Sequence, residues 1–311
     1  MRRGARGRAI VGMRRPWLLL ASVVLVDSLA GCDALHHPSP GGPADAGSDL
    51  VDGAPAIDAA TLPPTSASFW LTTADGVTLL QQQADVAFAS AGAGDGPTIV
   101  VDDDVRFQEI DGFGASLTES SAYVLANHMT AAARTALLRR LFDRDSGIAL
   151  RVLRQPIGAS DFALGNYSYD DTPPDLSDFS IAHDRATIIP ILKEIRAINP
   201  DLLIIASPWS PPGWMKTSGS MLSGELAATQ YRTLADYFVK FVRAYTDEGL
   251  PIYAVTPQNE PHFVSGSYPG MRMDAVDQAR FVGEELGPAL AAAGLGTTKI
   301  LVWDHNWDEP Q

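Results

Sequence analysis

The sequence has 311 residues, 46% of them hydrophobic, which is enough for one large domain or two modest ones with a substantial core. Its formal net charge of −14 argues against a nucleic-acid partner, because phosphates require a basic surface. A neutral substrate such as a glycan is compatible with that charge, and so is an acidic surface of no particular function.

Residues 1–32 have the composition of an export signal. Several arginines precede the apolar run 17–26, which is too short to span a bilayer. The sequence LAGC at residues 29–32 resembles a lipobox, in which the cysteine is lipidated. Cys32 is the only cysteine, so an internal disulfide cannot form, and lipidation would account for it. We expect a lipoprotein signal peptide over residues 1–32, with a free thiol in a cleaved signal as the alternative.

Two further segments precede the main part of the chain. Residues 33–66 are rich in Pro, Ala, Gly and Asp and bury too little apolar surface to fold, which predicts a flexible linker. Residues 67–111 predict short antiparallel β-strands that are too few for a stable sheet without partners. One predicted hairpin has strands at 69–73 and 77–80 around Asp75-Gly76, and a second has strands at 98–101 and 105–107.

From residue 112 onward, apolar strand patterns alternate with amphipathic helix patterns, which predicts an α/β fold with a parallel sheet. A flavodoxin-like open sheet would also fit, but no glycine-rich phosphate loop follows the first strand, which counts against its nucleotide-binding versions. The predicted strands are 112–117, 148–157, 202–207, 252–256 and 299–303, and the predicted helices are 130–142, 182–198, 229–245 and 274–293.

Polar and aromatic residues follow the predicted strands. Asn259 and Glu260 come directly after strand 252–256, and Pro261 ends the segment. Cleavage of a glycoside needs a proton-donating carboxylic acid and a hydrogen-bond partner for the sugar's 2-hydroxyl. A surface loop is the alternative, since Asn and Pro are common in turns. The ends of the other strands add carboxylates and an indole that would suit a sugar if they converge, namely Glu119, Asp161, Trp209 and Asp304.

Taken together, these segments resemble glycoside hydrolase family 30, which contains glucosylceramidases and β-1,6-glucanases, over most of residues 69–307. The resemblance implies a (β/α)8 TIM barrel and an accessory β-sandwich built from both chain ends. Residues 67–111 would then be N-terminal strands of the sandwich, and residues 112–311 a partial catalytic barrel. The motifs that carry it are GFGASLTE at 112–119, SDF at 160–162, YSYDD at 167–171, SPWSPPGWMKT at 207–217 and NEP at 259–261.

The resemblance also implies roles for single residues in a retaining mechanism with two glutamates. Glu260 matches the acid/base, and Asn259 matches the partner of the 2-hydroxyl. Substrate contacts are expected at Glu119, Asp161, Trp209 and Asp304. Such enzymes need no metal and no other cofactor, and His262 and His305 are not at metal-ligand spacing.

The sequence departs from the family pattern in one respect. The nucleophile of the family is a glutamate at the end of the seventh barrel strand, whereas only about five barrel strands are predicted here before Gln311. We therefore expect a barrel truncated after about five strands, with the nucleophile beyond Gln311. On this interpretation the 311-residue chain by itself does not hydrolyse glycosides and is insoluble or molten.

The leading interpretation is a retaining β-glycosidase that acts on β-glucosides, similar to a glucosylceramidase, with a carbohydrate or glycolipid substrate. A β-1,6-glucanase or a xylan-directed glycosidase is the alternative within the class, and a non-catalytic glycan-binding surface lipoprotein is the alternative outside it. The protein would be exported and secreted, or anchored in a bacterial cell envelope. Its only contact with the membrane would be the lipid on Cys32, and we expect no nucleic-acid partner.

We expect Cys32→Ser to move the protein from the membrane fraction to the soluble fraction, because an N-terminus with several acyl chains anchors firmly and an unmodified one does not. The measurement is fractionation of a bacterium with intact lipoprotein processing. Ser28→Ala, which lies outside the lipobox motif, is the control. Wild-type protein that is already soluble in such cells would contradict the lipid anchor.

Overall fold

The computed structural model describes residues 66–88, 102 and 104–306, and the chain divides into two compact units, 1–103 and 104–311. The predicted signal peptide with Cys32, the linker up to residue 65 and the predicted strand 98–101 lie outside the described residues. Within the described part of the chain, no helix has the length and apolarity needed to cross a bilayer.

The described part of the first unit contains two short antiparallel strand pairs. In one pair, β1 (Ser66–Ala67) lies against β4 (Val86–Ala87), and in the other, β2 (Trp70–Leu71) lies against β3 (Gln81–Gln82). The predicted hairpin forms around Gly76, whose φ of +68° suits glycine. Its second strand lies at 81–82 and not at the predicted 77–80.

The second unit is built on a five-stranded parallel sheet whose strands lie side by side in chain order. A doubly wound sheet reverses its strand order at a switch point, so the flavodoxin-like alternative is wrong. Chain order is the arrangement of a (β/α)8 TIM barrel, and the sheet supplies five of its strands. They are β5 (Gly114–Ser116), β6 (Val152–Pro156), β7 (Leu203–Ser207), β8 (Ile252–Val255) and β9 (Lys299–Ile300).

The strands are shorter than the apolar patterns predicted. The segment 148–157 becomes extended only at Val152, because Ala149 adopts a left-handed φ of +55°. The pattern 299–303 forms a strand for two residues only, and Trp303 has a φ of +58°. The predicted strand at 105–107 has no regular structure.

Helices connect the parallel strands. Thr130 caps α2 by accepting a hydrogen bond from the amide of Ala133 at 3.2 Å, as its sequence predicts. Thr118 caps α1 in the same way, and this helix was not predicted. The helices are α1 (Glu119–Asn127), α2 (Ala131–Phe142), α3 (Ala182–Ala186), α4 (Ile188–Ile198), α5 (Tyr231–Asp247), α6 (Ala275–Arg280) and α7 (Gly287–Ala292).

Two predicted helices are interrupted. The segment 182–198 divides into α3 and α4 at Thr187, whose φ of −139° is not helical. Between α6 and α7 the residues Phe281–Leu286 form a π-helix, so the predicted helix 274–293 is continuous but not uniform. Asp274 occupies its N-cap position without a side-chain capping bond.

The core of this unit lies between the sheet and its helices. On β7, Ile204 and Ala206 lie on one face and are fully buried, whereas Leu203 and Ile205 on the other face are only partly buried. The helix α5 contributes a continuous buried face that includes Phe238, Phe241 and Tyr245.

A buried carboxylate organises the part of the core beside α3. The carboxylate of Asp184 accepts hydrogen bonds from the phenols of Tyr167 at 3.0 Å, Tyr169 at 2.6 Å and Tyr245. Burial raises the pKa of Asp184, and the three phenols oppose that shift. The two tyrosines of the 167–171 motif therefore belong to the core and join the β6–α3 loop to α3 and α5.

We expect Asp184→Asn to lower the free energy of unfolding by about 3 kcal/mol, because an amide leaves buried phenol donors without an acceptor. Tyr167→Phe, which removes one of the three donors, should cost about 1 kcal/mol. Urea unfolding of both variants measures the difference. Equal and small losses would show that Asp184 does not organise this region.

Candidate functional site

Arg154, near the end of β6, ties the carboxyl ends of three further strands together. Its Nη2 atom donates to Asp304 Oδ2 at 2.6 Å, to Asn259 Oδ1 at 2.8 Å and to Ser207 Oγ at 3.0 Å. The side chains of Arg154 and Asp304 are 26% and 24% exposed, so solvent screens their ion pair in part. We call Arg154, Ser207, Asn259 and Asp304 the strand-end cluster.

Two hydroxyl groups complete the contacts of Asp304 inside the cluster. Ser207 Oγ donates to Asp304 Oδ2 at 2.7 Å, and Thr256 Oγ1 lies 2.9 Å from the same oxygen and 2.6 Å from Ser207 Oγ. One oxygen of the carboxylate thus collects the donors of β6, β7 and β8. The orientation of Asp304 is fixed as a result.

The backbone of Asn259 and Glu260 is held from both sides. The amide of Asn259 donates to the carbonyl of Pro208 at 2.8 Å, and the amide of Glu260 donates to the carbonyl of Asp304 at 2.8 Å. Glu260 has a φ of +40°, which costs energy for a residue with a side chain. Such strain persists only where the surroundings over-determine the backbone, and it concentrates at functional sites. The backbone of the half-buried Glu260 is therefore held in place by its neighbours.

Trp209 lies beside the strand-end cluster and is only 7% exposed. The guanidinium carbon of Arg154 stands 4.7 Å from the centre of its ring, a cation–π contact that covers one face of the indole. The other indole of the same motif, Trp214, packs against the core and donates to the carbonyl of Asp170 at 3.0 Å.

Glu119 makes a separate set of contacts. It is 6% exposed, and its carboxylate accepts from His183 Nε2 at 2.5 Å and from the amide of Leu164 at 2.7 Å. Asp161 is exposed in the β6–α3 loop. Of the six site residues expected from the sequence, the structure brings together Trp209, Asn259, Glu260 and Asp304 and places Glu119 and Asp161 outside their contacts.

Sequence reasoning missed the residues that hold the cluster together. Arg154 is a charged residue inside a largely apolar strand, and Ser207 and Thr256 are small polar residues at strand ends. A charged residue in a buried strand was the available signal, because such a group is retained only with a partner.

Lys216 joins the loop after β7, in which it lies, to the loop after β8, and it does so through neutral partners. The residue is 4% exposed, and its ammonium donates to the carbonyl of Gly270 at 2.7 Å, the carbonyl of Met221 at 2.8 Å and Ser210 Oγ at 3.0 Å. Burial lowers the pKa of Lys216 to about 7. The loop that carries Trp209 is thereby fixed to the loop after β8.

Three aromatic rings, those of His262, Trp303 and His305, lie close to Glu260 in the chain or on the side of β9. Trp303 stacks on His305 with ring centres 5.3 Å apart, and the ring of His262 meets Trp303 edge-on at 4.8 Å. Among the described residues, no three His, Cys, Asp or Glu side chains converge as metal ligands would.

The main apolar cleft lies away from this site. It has a volume of about 490 Å³ and lies between β5, α1 and α2, with a mostly aliphatic lining that includes Leu117, Val124 and Leu141. A sugar site needs polar groups that fix the orientation of the ring, so this cleft is not the candidate site.

Several known proteins are similar to this chain in fold and in sequence. Residues 110–309 match the family model described as the glycosyl hydrolase family 30 TIM-barrel domain. An endo-1,6-β-D-glucanase of Neurospora crassa is 39% identical over 214 residues, which cover 66% of this chain and 44% of that protein. The lysosomal acid glucosylceramidase of Mus musculus is 33% identical over 226 residues, which cover 68% of this chain and 43% of that protein.

A solved endo-β1,6-glucanase structure superimposes with a TM-score of 0.72 and 38% identity, over 79% of this chain and 54% of that one. The chain thus spans less than half the length of the two curated relatives.

We expect the free energy of unfolding to depend on pH because the pKa of Lys216 is lowered by burial. An unfolded lysine titrates near ~10.4, whereas burial lowers the folded pKa of Lys216 to about 7. Between these values the unfolded chain binds more protons, so this residue makes the free energy of unfolding rise with pH from about 7 to about 10. The advantage of wild type over Lys216→Met should therefore be larger at about pH 9 than at about pH 7.

Urea unfolding at the two pH values measures this difference. The exposed Lys240→Met is the matched control and should differ from wild type by the same amount at both. A pH-independent difference for Lys216→Met would contradict the shifted titration.

Proposed function

The chain belongs to glycosyl hydrolase family 30, and from that membership we propose that the protein cleaves β-1,6-glucosidic bonds of a glucan by a retaining mechanism. The observation that carries the proposal is the strand-end cluster beside the strained Glu260. The choice of the β-1,6 linkage is supported by the relatives, because the endo-1,6-β-D-glucanase is more similar to this chain than the glucosylceramidase is.

In this proposal Glu260 is the general acid and then the general base. It protonates the glycosidic oxygen as the bond to the leaving group breaks, and it later takes a proton from the water that releases the product. Two backbone hydrogen bonds fix its main chain, those of the Asn259 and Glu260 amides. The backbone that carries the carboxylate is therefore fixed before the substrate binds.

Asn259 is the proposed partner of the sugar's 2-hydroxyl. Arg154 donates to its side-chain oxygen at 2.8 Å, which fixes the orientation of the amide and directs the NH2 group away from the guanidinium. That NH2 group can then donate to the 2-hydroxyl, a bond that strengthens in the transition state.

Asp304, Trp209 and Glu119 are the proposed contacts of the sugar that is cleaved. The three donors on Asp304 meet at Oδ2, so Oδ1 is the oxygen proposed to accept a sugar hydroxyl. One face of Trp209 lies under Arg154 and the residue is only 7% exposed, so only the exposed part of the indole is proposed to contact the sugar ring. Asp161, which is exposed in the neighbouring loop, is proposed as a more distant contact.

Retaining cleavage also needs a nucleophilic carboxylate about 5–5.5 Å from the acid. Asp304 is committed to Arg154, Glu119 is committed to His183 and Leu164, and Asp161 is exposed. The proposal therefore gives none of these three the role of nucleophile and assigns that role to a carboxylate on another strand of the barrel. No cofactor is part of the proposal.

A glucosylceramidase-like activity on a β-glucoside of a lipid is the second candidate, because the glucosylceramidase relative covers a similar share of the chain. We also propose that the protein is exported and anchored through a lipid on Cys32, on the evidence of the LAGC motif at residues 29–32.

A substrate panel tests the proposed function. Purified protein that includes all eight barrel strands, and with them the nucleophile, is incubated with a β-1,6-glucan, a β-1,3-glucan, xylan and glucosylceramide, and the anomer of the first product is read by proton NMR. We expect the fastest turnover on the β-1,6-glucan, with retention. Faster turnover of glucosylceramide would favour the second candidate, and binding without turnover of any substrate would favour a non-catalytic glycan-binding protein.

We expect Glu260→Gln to reduce turnover of the β-1,6-glucan by ~10²-fold or more, because the amide cannot protonate a poor leaving group. An activated aryl β-glucoside should lose less in the first step, since its leaving group needs little protonation. The matched control is Glu284→Gln, a change at a side chain that is 66% exposed. Equal and small losses on both substrates would remove Glu260 from the acid/base role.

A further inference from the structure

The short helix α3 carries two neighbouring side chains that face different partners. Asp184 is fully buried and binds the phenols of Tyr167, Tyr169 and Tyr245. His183 is 44% exposed and contacts the carboxylate of Glu119. Asp184 therefore fixes the helix in the core, while His183 reaches Glu119 at the carboxyl end of β5.

Glu119 is restrained at both of its carboxylate oxygens. His183 Nε2 lies 2.5 Å from Oε1, and the amide of Leu164 donates to Oε2 at 2.7 Å. A long glutamate side chain in solution samples many rotamers, and fixing it costs conformational entropy. Here His183 and the Leu164 amide, which belong to different segments, already fix the side chain of Glu119. Sugar binding would therefore not have to offset the entropy cost of ordering it.

The imidazole of His183 is itself held in place. It stacks on the ring of Tyr167 at 3.6 Å between centres, with an angle of 20° between the planes. The phenol of Tyr167 in turn donates to Asp184, the residue next to His183 on α3. The Tyr167 ring, on which the imidazole stacks, is thus hydrogen-bonded to α3, the helix that carries His183.

We propose that His183 is a positioning residue, which holds Glu119 in the orientation that accepts a sugar hydroxyl. The proposal rests on the proposed function, in which Glu119 contacts the sugar. A carboxylate has about four acceptor positions, and His183 and Leu164 occupy two of them. The remaining positions on each oxygen have fixed directions, so Glu119 selects for a β-glucoside with a hydroxyl at one particular position.

Two substitutions separate the hydrogen bond from the ring. His183→Phe keeps an aromatic ring on Tyr167 and removes the Nε2 donor. His183→Gln removes the ring but places an amide nitrogen near the position of Nε2, so it should restore part of the effect. His128→Phe is the matched control, because it makes the same change at an exposed histidine that does not contact Glu119.

The first readout needs no ligand. The Leu164 amide donates to a buried carboxylate, so its proton resonance reports on the orientation of Glu119. We expect this resonance to shift in His183→Phe and in Glu119→Gln, to shift less in His183→Gln and to stay in place in His128→Phe.

The second readout is affinity for methyl β-D-glucopyranoside and its four monodeoxy analogues, measured by NMR titration. We expect His183→Phe to lose about tenfold in affinity for the parent glucoside, which corresponds to about 1.4 kcal/mol. One deoxy analogue, the one without the hydroxyl that Glu119 accepts, should bind wild type and His183→Phe equally. In a Glu119→Gln background the His183 change should have no further effect, because the two residues act as one unit.

Each outcome decides between the possibilities. An unshifted Leu164 resonance in folded His183→Phe overturns the positioning role, and so does an equal loss of affinity across all deoxy analogues. If His183→Phe does not fold, His183→Gln is compared with wild type by the same two measurements and the same criteria apply. A shifted resonance in a protein whose wild type binds no glucoside overturns the proposed function and leaves the contact between His183 and Glu119 intact.

Discussion

A single guanidinium nitrogen connects the carboxyl ends of four neighbouring parallel strands. Arg154 Nη2 on β6 reaches Ser207 on β7, Asn259 after β8 and Asp304 after β9. Hydrogen bonds to a charged group contribute about 1.5–3 kcal/mol each, but these side chains are about a quarter exposed and gain less. Their main effect is on geometry, because the pairing of parallel strands does not by itself set the orientation of the side chains at the strand ends. The cluster sets the directions of the Asn259 and Asp304 side chains on either side of Glu260 in the chain and in space.

The contacts between the strand ends explain how the strained backbone of Glu260 persists. A left-handed φ of +40° costs on the order of 1–3 kcal/mol at a residue other than glycine, and a free loop would relax it. Here the extension of β7 holds the preceding amide and the extension of β9 holds the amide of Glu260 itself. The backbone of Glu260 is therefore fixed by its neighbours, as the proposed acid/base role of this residue would require.

A second rigid part of the fold lies on the other side of β6. Asp184 collects three phenols in the core, and the neighbouring His183 restrains Glu119. Lys216 closes a third set of contacts between the loops after β7 and β8. All three arrangements use a buried or half-buried polar group to join segments that are distant in sequence. Hydrophobic packing alone does not specify such joints, since it has no direction.

The sequence by itself determined the local features of this protein. Alternating apolar strands and capped helices indicated a parallel α/β sheet, and the family motifs indicated its barrel order and the pairing of Asn259 with Glu260. The tertiary structure decided what depends on contacts between distant segments. Helix α1 forms where Thr118 was assigned only to a strand end, and Tyr167 and Tyr169 serve the core through Asp184. Arg154 became part of the site only when the ends of β7, β8 and β9 met around it. Periodicity reports which face of an element is buried, whereas the partner of a buried charge is fixed by long-range packing, which no local pattern records.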